Sequence, residues 1–314
     1  MIRILFHAPA SNPEAWRQAL SKAMPDAEVR IWQEGDDDPA DYAVVWKPPL
    51  QMLAPQQVTR RDLKAIFNIG AGVDAILQLG DGLPAGVPII RLDDAGMGVQ
   101  MAEYVTHAVL RYFRRFDQFD VQARAHQWRF LKSYDKAEFT VGILGMGLLG
   151  KRIADALAHF EFPLNGWSRS PKDLPGIQCF SGSDGLDAFL RASRVVVCVL
   201  PLTPETSRIL GHANMAKMPK DSFLINVARG GHLVEADLLK LVQDGHIAAA
   251  TLDVFDEEPL PAQHPFWQEP RITVTPHVAA MTLRDESARQ IAGKISALQR
   301  GEAVPGMVDR TKGY

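Results

Sequence analysis

Apolar positions along the chain follow two alternating periods. Up to about residue 98, short β-type runs recur at residues 2–6, 42–46, 65–69 and 87–91, separated by helical or polar stretches. That alternation predicts a small layered α/β domain. From Val99 the pattern lengthens, and residues 101–113 carry apolar side chains three and four apart, the spacing of one helical face. A second α/β series follows, with strands predicted at 140–144, 163–167, 194–200, 223–227, 248–252 and 272–274. Strands alternating with helices in this way predict a parallel, doubly wound sheet. A last helical stretch runs to about Arg300, and the Gly-, Pro- and charge-rich tail 301–314 is predicted irregular.

The 314 residues suffice for two domains, each with its own core. With 34 Lys and Arg against 37 Asp and Glu, the net charge of −3 is too balanced for a general phosphate-backbone binder, so nucleic acid is excluded as a main partner. The purest apolar run, residues 195–202, is far short of a membrane span, and residues 1–6 are too short for a signal peptide. A cytoplasmic location is expected. The two cysteines, Cys179 and Cys198, have no neighbours at metal-ligand spacing and are expected to be buried thiols, with no metal site. The acidic cluster at 33–39 is expected to be a solvated loop without chemistry.

The strongest local signal is a predicted strand running into Gly145-Met146-Gly147-Leu148-Leu149-Gly150 and then an amphipathic helix. In a dinucleotide-binding turn of this form, the first glycine makes the tight turn, the second lets the backbone approach a pyrophosphate, and the third packs helix on strand. The helix N-terminus turns its N–H groups to the phosphates. About 20 residues on, where an acidic side chain would hold an NAD ribose, the chain reads Trp167-Ser168-Arg169-Ser170-Pro171-Lys172. Ser168 can donate to a 2′-phosphate, Arg169 can fork onto it and Lys172 can add charge. The expected cofactor is therefore NADPH, with NADH a weaker alternative.

Three polar residues follow predicted strands in the second half, at the strand ends where an open α/β sheet holds its ligand. Arg229 can pair with a carboxylate or polarise a keto oxygen, and His277 can hand a proton to a carbonyl oxygen as hydride reaches the carbon. Glu258 can bond the other ring nitrogen of the histidine and fix its tautomer.

These motifs, with Asn226-Val-Ala-Arg-Gly-Gly231, Leu252-Asp-Val-Phe-Asp-Glu-Glu-Pro-Leu260 and Thr275-Pro-His-Val278, resemble those of the D-isomer-specific 2-hydroxyacid dehydrogenases in order and separation. Residues 68–74 look like that family's substrate loop and 199–206 like its cofactor-side loop, so the resemblance spans essentially the whole chain. It implies Arg229, Glu258 and His277 as the catalytic set, and it adds Leu200, Pro201, Thr206, Val227, Ala228, Asp253 and Ala279 on the cofactor side. Backbone N–H groups of Ala71, Gly72 and Val73 would hold the substrate carboxylate, with Trp46 walling a pocket for a small 2-oxo acid.

Residues 46–49, 167–170, 276–280 and 309–314 are most similar to the family's bacterial reductases of glyoxylate and hydroxypyruvate. A relative acting on lactate, phosphoglycerate or phosphite, or a dinucleotide-sensing co-repressor, is the alternative. Two departures stand out: Ala279-Ala280 replaces the usual Gly-Gly or Gly-Ser after the histidine, and Ser168-Arg169 replaces the acidic residue. The implied architecture is two Rossmann-like domains with parallel sheets. A larger dinucleotide-binding domain, 99–283, would be inserted into a flavodoxin-like substrate domain formed by 1–98 and 284–314, with hinges near Gly98 and Leu283. A homodimer is also implied, through the helix 101–113 and the aromatic arm 116–130.

Overall fold

In this computed structural model residues 1–9 and 11–314 are described, and among them the chain forms two sheets whose strands are all parallel. Two compact units result: Met1–Gly96 with Thr282–Tyr314, and Met97–Met281. The crossings fall two residues before those expected at 98/99 and 283/284.

The first unit runs β1 (Ile2–His7), α1 (Pro13–Ala23), β2 (Ala27–Ile31), β3 (Tyr42–Val45), α2 (Leu50–Leu53), α3 (Pro55–Arg61), β4 (Ala65–Asn68), α4 (Asp74–Leu77) and β5 (Ile89–Arg91). Its strand order is β2-β1-β3-β4-β5. The inner strands β3 and β4 are buried at every position, as a parallel sheet covered on both faces requires. Helix α1 starts on a defined cap: Pro13 fits the first turn, and the Asn12 side chain accepts from the Ala15 N–H at 3.1 Å. Its apolar face buries Trp16, Ala19 and Leu20, with Trp16 stacked on Phe6 at 5.5 Å.

Two ion-paired clusters hold the edges of this unit. Asp41 accepts from the Arg3 N–H at 2.8 Å and from Lys64 Nζ at 3.0 Å, and pairs with the Arg3 guanidinium at 3.2 Å. Burial would push its carboxyl up, but the hydrogen bonds from Arg3 and Lys64 outweigh this and hold it at about 2. The loop 33–39 is not wholly solvated as expected. Asp36 accepts from Arg30 Nε at 2.9 Å and Nη2 at 3.0 Å, and the buried Arg61 guanidinium bonds the Asp36 and Met52 carbonyls.

The second unit runs α5 (Met97–Phe113), α6 (Phe116–Arg124), β6 (Val141–Leu144), α7 (Leu148–His159), β7 (Leu164–Ser168), β8 (Ile177–Ser181), α8 (Gly182–Arg191), β9 (Val195–Cys198), α9 (His212–Met215), β10 (Ser222–Asn226), α10 (Glu235–Gln243), β11 (Ile247–Leu252) and β12 (Ile272–Val274). The order β12-β11-β10-β9-β6-β7-β8 reverses direction between β6 and β9, the switch point at which a doubly wound sheet opens a crevice. Cys198 is fully buried, whereas Cys179, on the edge strand β8, is only half-buried, against expectation. No helix among the described residues is long and apolar enough to cross a membrane.

The chain then re-enters the first unit as α11 (Arg284–Gln299), which packs on α1. The tail beyond it is pinned rather than loose. Lys294 Nζ donates to the Arg91 carbonyl at 2.9 Å and the Pro305 carbonyl at 2.8 Å, and Met307 bridges Ile90 in antiparallel sense.

Because Asp41 titrates at about 2 in the fold and near 3.9 unfolded, its stabilisation is complete above about pH 4 and is lost as pH falls towards 2. Asp41→Asn is therefore expected to cost about 1–2 kcal/mol at pH 7, discounted for partial solvent screening, with a smaller gap to the parent protein at pH 3. Denaturant unfolding at the two pH values measures it.

Candidate active site

In the second unit, the segments after β6, β9, β10, β11 and β12 all leave the same edge of the sheet, because the strands are parallel. They bring the fingerprint glycines and the three candidate catalytic residues to that edge. Arg229 lies three residues beyond β10 in extended backbone (φ −145°, ψ 150°) and is half-buried, with Nη1 donating to the Ala228 carbonyl at 2.7 Å.

Glu258 and His277 meet directly. Glu258 Oε2 lies 2.8 Å from His277 Nδ1, while Oε1 accepts the Phe255 N–H at 3.1 Å, so one oxygen is fixed by its own loop and the other holds the ring. A carboxylate acceptor at Nδ1 places the hydrogen there and leaves Nε2 as the nitrogen able to exchange a proton. The loop carrying Glu258 is itself anchored. Glu235 accepts the Asp256 N–H at 3.1 Å, and Arg208 Nη1 reaches the Asp256 carboxylate and the Leu233 carbonyl, each at 2.6 Å.

His277 has φ +55°, a left-handed backbone unusual for a side-chain-bearing residue. Asp253, just after β11 and 1% exposed, enforces it. Oδ1 accepts from the Thr275 hydroxyl at 2.6 Å and the Val278 N–H at 2.8 Å, Oδ2 accepts the Ala279 N–H at 2.8 Å, and the Asp253 carbonyl accepts the His277 N–H at 2.9 Å. Asp253, expected on the cofactor side, thus has both carboxylate oxygens engaged by the histidine's loop, as is the buried Ala279.

The glycine turn has the shape a pyrophosphate needs. Gly145 sits at φ +114°, and a Cβ at Gly150 would overlap the Gly145 carbonyl oxygen, so helix and strand approach only with glycine. At Gly147 a Cβ would meet nothing within 4 Å, and as cap of α7 the residue has no side chain to occupy the first N–H groups of Leu148 and its successors. Met146 is buried against Gly166, and its carbonyl accepts from Lys172 Nζ at 2.6 Å. Lys172 thus braces the turn. Ser168 Oγ donates to the Ser170 carbonyl at 2.8 Å, folding the loop after β7 and leaving Arg169 exposed. Arg169 lies close enough to the 199–206 loop to act on Glu205, whose carboxyl is held low first by the Thr203 hydroxyl, then by its own backbone, with the Arg169 charge adding to them. Thr206 Oγ1 donates to the Pro201 carbonyl at 2.7 Å and shapes that loop. Leu200, Val227 and Ala228 are buried at the ends of β9 and β10.

Two further side chains shape the loops, one in each unit. The fully buried His232 lies 3.1 Å from the Arg229 carbonyl and 3.2 Å from the Pro201 carbonyl, linking the two loops. In the first unit, described by itself, Asn68 Nδ2 donates to the Gly70 carbonyl at 2.8 Å and the Gly72 carbonyl at 2.9 Å. It thereby shapes the turn that carries Ala71, Gly72 and Val73, while the half-buried Trp46 ring lies against Gly70.

A family model described as the NAD binding domain of D-isomer specific 2-hydroxyacid dehydrogenase matches residues 106–279. The chain belongs to that family. A relative from Serratia proteamaculans named glyoxylate/hydroxypyruvate reductase A is 49% identical over 100% of both chains. Among solved structures, a family member from Xanthobacter autotrophicus in complex with NADPH and MES is 40% identical with a TM-score of 0.92, covering 99% of each chain. An NADPH-dependent glyoxylate/hydroxypyruvate reductase from Sinorhizobium meliloti, in complex with NADP and sulfate, is 37% identical with a TM-score of 0.89 over 100% of each chain. The family's two-sheet fold is the one described above.

The glycines separate ligand binding from folding. Gly147→Ala is expected to leave Tm within about 2 °C of the parent but weaken NADPH binding about tenfold or more, because a methyl group there meets no protein atom. Gly150→Ala is expected to lower Tm by about 5–10 °C through overpacking. Thermal melts and NADPH fluorescence titration read both.

Proposed function

We propose that the protein is an NADPH-dependent reductase of small 2-oxo acids, converting glyoxylate to glycolate and hydroxypyruvate to D-glycerate. The observation that carries this reading is the 2.8 Å Glu258–His277 pair, at the same sheet edge as Arg229 and a glycine turn followed by Ser168 and Arg169. The names of the relatives at high identity support the same substrates.

NADPH, when bound, supplies the hydride that adds to C2 of the 2-oxo acid. Gly145, Gly147 and Gly150, with the adjoining N–H groups of α7, would hold the pyrophosphate, and Ser168 and Arg169 would hold the 2′-phosphate. Arg229 takes the carboxylate or the keto oxygen of the substrate and stabilises the negative charge that develops there. As C2 becomes tetrahedral, His277 Nε2 gives its proton to the oxygen, which stays on C2 as the hydroxyl of the product. Glu258 balances the imidazolium before transfer and keeps the ring aligned. By the family resemblance, backbone N–H groups of Ala71, Gly72 and Val73 in the first unit would hold a carboxylate, with Trp46 beside that turn. We extend this reading to a cytoplasmic homodimer. The dimer is supported by the 116–130 arm, in which Trp128 and Phe130 stand almost wholly exposed.

The direct test is loss of NADPH absorbance with glyoxylate, hydroxypyruvate, pyruvate or no acid, repeated with NADH. The first two acids are expected to turn over fastest, and with NADPH preferred; turnover of pyruvate alone overturns the substrate assignment. In the same assay Arg169→Ala is expected to raise KM for NADPH about tenfold or more while leaving KM for NADH within about twofold. Arg229→Ala is expected to lower kcat/KM by about 10²-fold or more, acting on both kcat and KM.

A further inference from the structure

The catalytic loop is tied to a helix far away in sequence. Tyr104, on α5, lies 2.6 Å from Thr275 Oγ1 across 171 residues of chain, and both belong to the second unit. The direction of this bond follows from its neighbours. Thr275 has one hydroxyl hydrogen, and Asp253 Oδ1, 2.6 Å away, is a carboxylate oxygen that can only accept. Thr275 therefore donates to Asp253, and Tyr104 must donate to Thr275. Burial pushes the Tyr104 hydroxyl up to about 12, more than the bond to Thr275 brings it down, so it stays a donor throughout the neutral range.

The acceptor at the end of this chain of bonds also takes the Val278 and Ala279 N–H groups, and the Asp253 carbonyl takes the His277 N–H, so Asp253 holds the backbone at His277 and just after it and the Thr275 side chain before it. Left-handed backbone at a residue with a side chain persists only where its surroundings over-determine it. We infer that Tyr104 is a positioning residue for His277: by fixing the Thr275 hydroxyl towards Asp253, it completes the clamp that aims the histidine. Linked hydrogen bonds polarise one another, so loss of the outermost donor loosens the whole set.

Helix α5 supplies its own control. Tyr112, on the same face two turns on, makes a buried bond of 2.7 Å to Thr251 Oγ1, inside β11 and away from the histidine loop. Tyr104→Phe deletes a part-buried hydroxyl and Tyr112→Phe a fully buried one, each keeping the ring, so Tyr112→Phe should lower Tm at least as much as Tyr104→Phe.

The kinetic part rests on the reductase reading; amide exchange does not. Tyr104→Phe is expected to lower kcat about five- to tenfold with KM for NADPH within about twofold, and to speed amide exchange at Val278 and Ala279 about tenfold. Tyr112→Phe is expected to do neither. Adding Tyr104→Phe to Thr275→Val should cause no further loss, since the relay is already cut. Unchanged exchange at these two amides in Tyr104→Phe, or an equal effect of Tyr112→Phe, overturns the inference. A parent protein inactive on every 2-oxo acid, but with the expected exchange contrast, would overturn the reductase reading and leave the relay standing.

Discussion

A buried carboxylate governs the reactive end of this molecule. Strands β11 and β12 run parallel and in register, Leu252 opposite Val274, so the chain leaves both at one level, with Asp253 facing the start of the histidine loop. A charge 1% exposed has to be compensated fully, because an uncompensated one costs several kcal/mol. The compensation comes from Thr275, Val278 and Ala279, and this bends His277 into its left-handed conformation. The same strand end leads on to Glu258, which closes on the ring from the other side. The histidine, the carboxylate bonded to its ring and the clamp on its loop are therefore products of one strand pair.

The nucleotide half obeys a different constraint, close backbone approach. Helix α7 can begin against β6 only because Gly150 lies on the Gly145 carbonyl, and that contact puts the helix N-terminus over the switch point of the sheet. Lys172 reaches back to the Met146 carbonyl, so the segment that carries Arg169 and the glycine turn form one braced unit.

Most of this was legible in the sequence because it is local. The central strands read as unbroken apolar runs, since a parallel sheet buries both faces. The glycine turn and the Arg229, Glu258 and His277 segments carry their chemistry within a few residues. The misses share a cause. Strands β2 and β8 lie at sheet edges, where Ala27-Glu-Val-Arg-Ile31 alternates apolar with charged residues and gives no continuous run. The hold of Asp253 on the histidine loop has no local signal, because its oxygens face residues more than 20 positions away. Tyr104, His232 and Lys294 act through pairings of long sequence separation or between loops, and no spacing rule marks them. Asp36, inside an acidic run that reads as solvated, is held by an arginine on a neighbouring strand.

Delivery of the proton from His277 Nε2 is the step on which the proposed reductase chemistry turns. Its most direct test is His277→Gln, assayed at saturating glyoxylate and NADPH, with NADPH affinity measured separately by fluorescence. A fall in kcat of about 10²–10⁴-fold is expected, with NADPH affinity unchanged. A variant that kept kcat within about tenfold of the parent would contradict it, because the proton would then be coming from elsewhere.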